Sequence, residues 1–226
     1  GHIELAVPCF HVGFVVKIKK LLETVCHNCG LILADFNHPD WPSATRVKDP
    51  KKRFDMIWRL SKTRKVCDNE IPKEKTAVHH GGCGNRMPDT IKKEGMNLWA
   101  TYKPRKDEED PPNKDNDKKL IKPQEAQNIL KSMTENTMSL LGLNVDYARP
   151  EWMVLTVLPV PPPPVRPSIS VDGTGQGARG EDDLTYKLGD IIRANSNVKK
   201  AHAEGAAQHA IQEYENLLQY HIATYM

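Results

Sequence analysis

Leu21–Asp35, LLETVCHNCGLILAD, sets two thiols, Cys26 and Cys29, one short turn apart, with Gly30 directly behind them. Such a pair can bind a metal, exchange electrons or simply pack, and the choice decides what kind of fold this is. Glycine after the second cysteine accepts a backbone angle that other residues resist, which turns the chain tightly and lets amides point at the first sulfur. That arrangement suits tetrahedral thiolate coordination. A thioredoxin-like redox pair would instead open a helix after a strand, whereas here glycine and the strand-like Leu31-Ile32-Leu33 follow. The metal reading is therefore preferred to the redox and packing readings.

A closed site needs two more ligands. Cys67 in KVCDNE and Cys83 in GGCGN are available, and the second is again followed by glycine. His79, His80 and Cys9 could substitute on composition alone; Cys83 is favoured because GGCGN repeats the cysteine-glycine turn. Four protein ligands leave no position for water, so a zinc held this way is structural. The odd number of five cysteines, without an export signal, argues against a disulfide framework.

The 226 residues, 38% hydrophobic, suffice for one large domain or two small ones. No run is long and apolar enough for a membrane span, and the first residues lack a secretory pattern, so a nuclear or cytosolic chain without a membrane partner is expected. The net charge of +3 hides an asymmetry: residues 1–100 carry 17 basic against 11 acidic side chains, the remainder 15 against 18. From Arg46 to Lys65 there are nine basic and two acidic side chains, which fits either a polyanion-facing surface or a solvated helix face.

Along the chain, the residues from Ile3 to Leu33 read as strand then helix, with GLILAD a strand leaving the knuckle. Asp49 as N-cap and Pro50 at the first helical position start an amphipathic helix ending near Ser61, with Phe54, Ile57, Trp58 and Leu60 on its apolar stripe. Its other face and continuation carry Lys51, Lys52, Arg53, Arg59, Lys62, Arg64 and Lys65. Phe54 and Trp58 share the apolar stripe and so read as core, not as stacking platforms for bases. Lys103 to Lys119, charged and proline-bearing, reads as an exposed, disordered loop, and a helix follows near Pro123 with Ala126, Ile129, Leu130 and Met133 inward. A strand-like run from Trp152 to Leu158 feeds Pro161–Pro164, read as an extended strut because these residues offer no amide donors.

The glycine-rich VDGTGQGARGEDD that follows reads as a flexible loop ended by Asp182 or Asp183 as helix cap. It matches neither GxGxxG nor a Walker motif, and a cap is preferred to a magnesium site at Glu181–Asp183. Two closing helices are marked by Leu184, Leu188, Ile191 and Ile192, and by Ile211, Tyr214, Leu217, Leu218 and Ile222. Both ends of the chain read as cut from something longer. The expected class is α+β: mixed helices and short strands around a structural zinc site, with a proline strut and a glycine-rich loop. No set of side chains assembles a nucleophile, base and oxyanion donor.

GHIELAVPCFHVGF, CHNCG, KKRFDMIW, GGCGN, RPEWMVLTVLPVPPPPVRPSIS and RGEDDLTYKL together resemble the largest subunit of eukaryotic RNA polymerase II, in its amino-terminal portion and a fungal version. The resemblance spans nearly the whole chain. It implies that Cys26, Cys29, Cys67 and Cys83 form the second of two clamp zinc sites, the first lying before Gly1, with Cys9 outside both. It implies residues 1–14 and 152–226 as clamp core segments and 15–151 as zinc-binding clamp head, with a lid loop at about 168–183.

The clamp closes over DNA and the RNA–DNA hybrid, and the lid keeps the transcript from the template. Implied partners are therefore template DNA, the RNA transcript and the other polymerase subunits, including the second-largest, in the nucleus. Residues expected to face nucleic acid are Lys51, Lys52, Arg53, Arg59, Lys62, Arg64, Lys65 and, in the lid, Arg179; Val171 stands where some relatives carry an aromatic residue. The parent enzyme's magnesium is held by a motif of the form NADFDGD, which these residues lack, so the segment itself is expected to be non-catalytic. The rival readings are a free-standing zinc module that binds nucleic acid and a thiol oxidoreductase.

Overall fold

The computed structural model describes residues 1–71, 78–104 and 117–226. The chain divides into two compact units, one built from Gly1–Val12 with Val154–Met226, the other from Gly13–Met153.

In the first unit, strand β1 (His2–Phe10) pairs antiparallel with a strand drawn from far along the chain, Val154–Pro159. The register slips between Glu4 and Cys9, so the two strands meet as two short ladders across an irregularity. Two long helices, Asp183–Ala203 and Gln208–Tyr225, pack on each other and on β1. Cys9, Leu158, Leu188, Ile191, Val198, Leu218 and Ile222 form the core between them.

A two-stranded sheet leaves backbone groups of β1 without a ladder partner, and two helix amides take that place. Asn195 accepts from the Ala6 N–H at 2.7 Å and donates to the Glu4 carbonyl at 2.9 Å. Gln219 does the same at Phe10, accepting at 2.6 Å and donating at 2.9 Å. Both side chains are buried, so each stands in for a strand that is not there.

The second unit begins with helix α1 (Val15–Leu22), whose Val15, Ile18, Leu21 and Leu22 are buried. After the cysteine pair come α2 (Trp41–Arg46) and α3 (Pro50–Ser61). As expected, α3 starts on Asp49, whose carboxylate accepts from the Lys51 N–H, and Pro50 occupies its first turn. An antiparallel meander follows, of β2 (Thr90–Glu94), β3 (Asn97–Tyr102) and β4 (Asp117–Ile121). Its apolar side chains Ile91, Leu98, Ala100 and Ile121 are buried. Then come α4 (Pro123–Lys131), α5 (Glu135–Leu140) and a 3-10 turn at Pro150–Met153. Helix α1 packs against α4, β2 and this turn.

The structure is α+β, with helices and short antiparallel strands, and it corrects several local expectations. GLILAD does not form a strand: the chain makes one bridge, Val25 to Ile32, held by the Leu33 N–H on the Thr24 carbonyl and the Cys26 N–H on the Leu31 carbonyl, before turning away. The proline strut is extended only as far as Pro162; Pro163–Val165 form a 3-10 turn closed by the N–H groups of Val165 and Arg166. Proline fixes φ but leaves ψ a choice, and the donors come from the residues behind it.

The glycine-rich loop is a hairpin, with Ile169–Ser170 paired to Arg179–Gly180, and Asp182 caps the helix behind it. We label the strand Val154–Pro159 β5, the hairpin strands β6 and β7, and the closing helices α6 and α7. Ile192 of α6 and Leu217 of α7 point outward at 51% and 43% exposure, since helical spacing puts Ile191 and Leu218 inward instead. Of the expected loop at 103–119, residues 105–116 lie outside the described residues, and Asp117 to Lys119 belong to β4.

Candidate metal centre

Two tight turns supply the four sulfurs. In the first, the Gly30 N–H donates to the Cys26 carbonyl at 3.0 Å and the Cys26 N–H to the Leu31 carbonyl at 2.8 Å, while the Asn28 N–H points at the Cys26 sulfur at 3.4 Å. Gly30 has φ of +71°, and a side chain there would also strike the backbone of Ser132. In the second turn, the Gly84 N–H donates to the Cys67 carbonyl and the Cys67 N–H to the Asn85 carbonyl, each at 2.9 Å. A bridge between Val66 and Arg86 closes it behind the sulfurs. Cys67 and Cys83, far apart in the sequence, thus belong to one turn.

All four sulfurs lie within 4.8 Å of one another. Cys26 is 3.5 Å from Cys83 and Cys29 is 3.7 Å from Cys67. Four sulfurs about 2.3 Å from a central zinc sit roughly 3.8 Å apart in a tetrahedron, so the donor set and its spacing fit that ion. Cys26 and Cys67 are buried, Cys29 is half-buried and Cys83 is exposed; Leu33 and Met87 complete an apolar wall. Burial pushes the Cys26 and Cys67 thiols up. At Cys83 burial also pushes upward, but hydrogen bonds from the Asn28 side chain, the Asn85 backbone and the neighbouring thiols outweigh it and bring the thiol down to about 6. A divalent cation would bind these sulfurs as thiolates, displacing their protons.

Cys9 lies in the other unit's core, where its thiol donates to the Val7 carbonyl and burial raises it to about 12. His80 contributes no atom to the sulfur cluster; its ring bonds backbone carbonyls instead.

The basic residues divide by their position on α3. Lys51, Lys52, Arg59 and Lys62 are exposed. Arg53 is turned toward the helix junctions, donating to the carbonyls of Val47, Ser139 and Leu140. Arg64 pairs with Asp35 at 2.5 Å, and Lys65 donates to the carbonyls of Asp89 and Lys62. Arg179 is exposed on the hairpin.

Reading α3 alone missed its neighbour. Lys20 of α1 lies 4.5 Å from the Trp58 ring centre and Lys62 lies 4.6 Å from it, while the indole N–H donates to Glu23 at 2.8 Å. Lys17 sits 3.2 Å from the centre of the Phe54 ring. Phe54 is buried, as expected, but Trp58 is only half-buried and serves as a seat for cations. The α1 lysines carry a sequence signal, the Lys-x-Lys-Lys run at 17–20.

Cysteines from two separate turns, gathered in a unit of helices and short strands, define a domain with a four-cysteine cluster able to hold a metal ion. The profile of the family described as RNA polymerase Rpb1, domain 1, matches residues 1–226, and the chain belongs to that family. It is similar to DNA-directed RNA polymerase II subunit RPB1 of Euplotoides octocarinatus, with 38% identity over 224 residues, which covers 99% of this chain and 45% of that protein. The chain therefore spans about half the length of this relative. Among the described residues, no helix is long and apolar enough to cross a membrane.

Proposed function

We propose that this chain is the clamp and lid portion of the largest subunit of DNA-directed RNA polymerase II, acting in the nucleus on template DNA and the RNA transcript. In this reading, residues 15–151 are the clamp head and residues 1–14 and 152–226 the clamp core, with the hairpin near 168–183 as lid. The single observation that carries the reading is the whole-chain family match to a segment with a four-sulfur centre. Cys26, Cys29, Cys67 and Cys83 would hold a structural zinc, which when bound supplies cross-linking and no open coordination position. The nucleotidyl-transfer centre and its magnesium would lie elsewhere in the parent polymerase, as would contacts to the second-largest and other subunits.

The nucleic-acid surface is proposed at Lys51, Lys52, Arg59 and Lys62, with Arg53, Arg64 and Lys65 supporting the fold around them and Arg179 acting in the lid. Such a surface holds phosphates without reading sequence, so binding should fall steeply with salt.

The test is zinc per chain by elemental analysis, beside duplex DNA binding measured over a salt series. One zinc per chain, lost in Cys67→Ser and Cys83→Ser and kept in Cys9→Ser, is expected. Neutralising Lys51, Lys52, Arg59 and Lys62 together should flatten the salt dependence. A folded chain without zinc, or an unchanged salt slope, would overturn the corresponding half of the reading.

A further inference from the structure

The four sulfurs come from turns joined by a long connection, and something must hold one turn against the other. Cys26 and Cys29 lie in the first, Cys67 and Cys83 in the second. The segment leading into Cys83 runs back across the first turn at Val78–His80. Its Val78 backbone exchanges two hydrogen bonds with the Asn37 side chain, at 2.8 Å and 3.0 Å. Two residues on, the His80 ring stacks on Phe36 with centres 4.7 Å apart. One ring nitrogen, Nε2, lies 2.8 Å from the carbonyl of Ile32, just behind the first turn. The other, Nδ1, lies 3.1 Å from the carbonyl of Asp68, next to Cys67. That Asp68 carbonyl also receives the Gly82 N–H at 2.9 Å, next to Cys83.

A carbonyl oxygen only accepts, so a ring nitrogen that bonds one does so through its N–H, and the His80 ring lies within hydrogen-bond distance of a carbonyl on each side. We propose that His80 is a positioning residue for the metal centre: its ring, stacked on Phe36 and set between the Ile32 and Asp68 carbonyls, ties the two cysteine turns together and slows metal release. The inference rests on the reading of the cluster as a zinc site. Groups that fix the surroundings of metal ligands commonly influence affinity by roughly ten- to hundredfold, and here one side chain reaches both halves of the ligand set.

Packing and hydrogen bonding can be separated at this position. His80→Phe keeps a flat ring for Phe36 and removes both ring nitrogens; His80→Arg keeps a planar group with several N–H donors. Zinc is loaded into the full chain, and its release to a chromophoric chelator in excess is timed for the parent and both variants, with far-UV circular dichroism as fold control. We expect His80→Phe to release zinc about tenfold to a hundredfold faster at equal helical content, and His80→Arg to recover most of the difference.

Release from His80→Phe less than threefold faster than from the parent, or from His80→Arg as fast as from His80→Phe, overturns the proposal. Should His80→Phe fail to fold, long-range proton–nitrogen spectra of the zinc-loaded parent decide: a His80 ring N–H protected from solvent exchange in a hydrogen bond supports the clasp, and a ring whose nitrogen-bound hydrogen exchanges freely overturns it. A parent chain that holds no zinc defeats the zinc reading itself. A parent that holds zinc and ignores His80→Phe defeats only the clasp.

Discussion

At the scale of single residues, the centre depends on backbone shapes that few side chains permit. Gly30 and Gly95 both have positive φ, +71° and +60°, but their surroundings differ: a Cβ at Gly30 meets the Ser132 backbone, and one at Gly95 meets nothing within 4 Å. Alanine at Gly95 should therefore cost only the conformational penalty, about 1 kcal/mol. At Gly30 the same penalty is joined by a collision with backbone that cannot swing aside, and the loss should reach about 3 kcal/mol. Urea unfolding of the two zinc-loaded variants measures both; equal losses would mean that the loop carrying Ser132 gives way freely. The role of Gly30 was legible, because glycine after a CxxC pair has a stated geometric use. The role of His80 was not: its two carbonyl partners lie 48 and 12 residues away, and no local pattern announces them.

At the scale of elements, helices were legible where capping and periodicity agree. Asp49-Pro50 marked the start of α3 because both residues act locally. The Asn195 and Gln219 contacts were illegible because buried amides look like surface residues until the bare edge of β1 is known. The proline strut misled for a related reason: absent donors at Pro161–Pro164 said nothing of donors at Val165 and Arg166. Contact between α1 and α3 was also invisible from either helix alone, and it can be tested through Lys17.

Burial of Lys17 beside Phe54 lowers its pKa from 10.5 to about 8; nearby Asp55 opposes the shift and Lys20 adds to it. Below pH 8 the side chain is charged in both folded and unfolded states, and the folded state bears the burial cost. Between 8 and 10.5 the unfolded chain holds a proton that the folded chain does not, so this group makes stability rise with pH. Lys17→Met should accordingly stabilise the zinc-loaded chain at pH 7, with a pH-dependent gain of about 1 kcal/mol, reduced because the ammonium remains partly in water. That part should fade as pH approaches 10.5. Denaturation of parent and variant at matched pH isolates it from other titrating groups; a gain independent of pH would assign the effect to packing alone.

At the scale of the whole molecule, the two units differ in what holds them. The unit of β1, β5, α6 and α7 has an apolar core of its own, closed by the Asn195 and Gln219 amides, and uses none of the four clustered cysteines. The Gly13–Met153 unit contains all four, and around Cys26, Leu33, Cys67 and Met87 its interior consists largely of the ligands themselves. Turns of this kind have little apolar area to replace a lost cross-link, and metal affinity then becomes folding free energy. Removing the metal with a chelator under reducing conditions should raise hydrogen exchange at residues 25–34 and 65–68 and at Gly82–Met87. Amides of α6, α7 and β1 should keep their protection, because the contacts that cover them are unchanged. Exchange followed by mass spectrometry resolves these segments directly. Equal loss of protection in both units would show that they unfold as one cooperative body, and that the metal stabilises the first unit through the second.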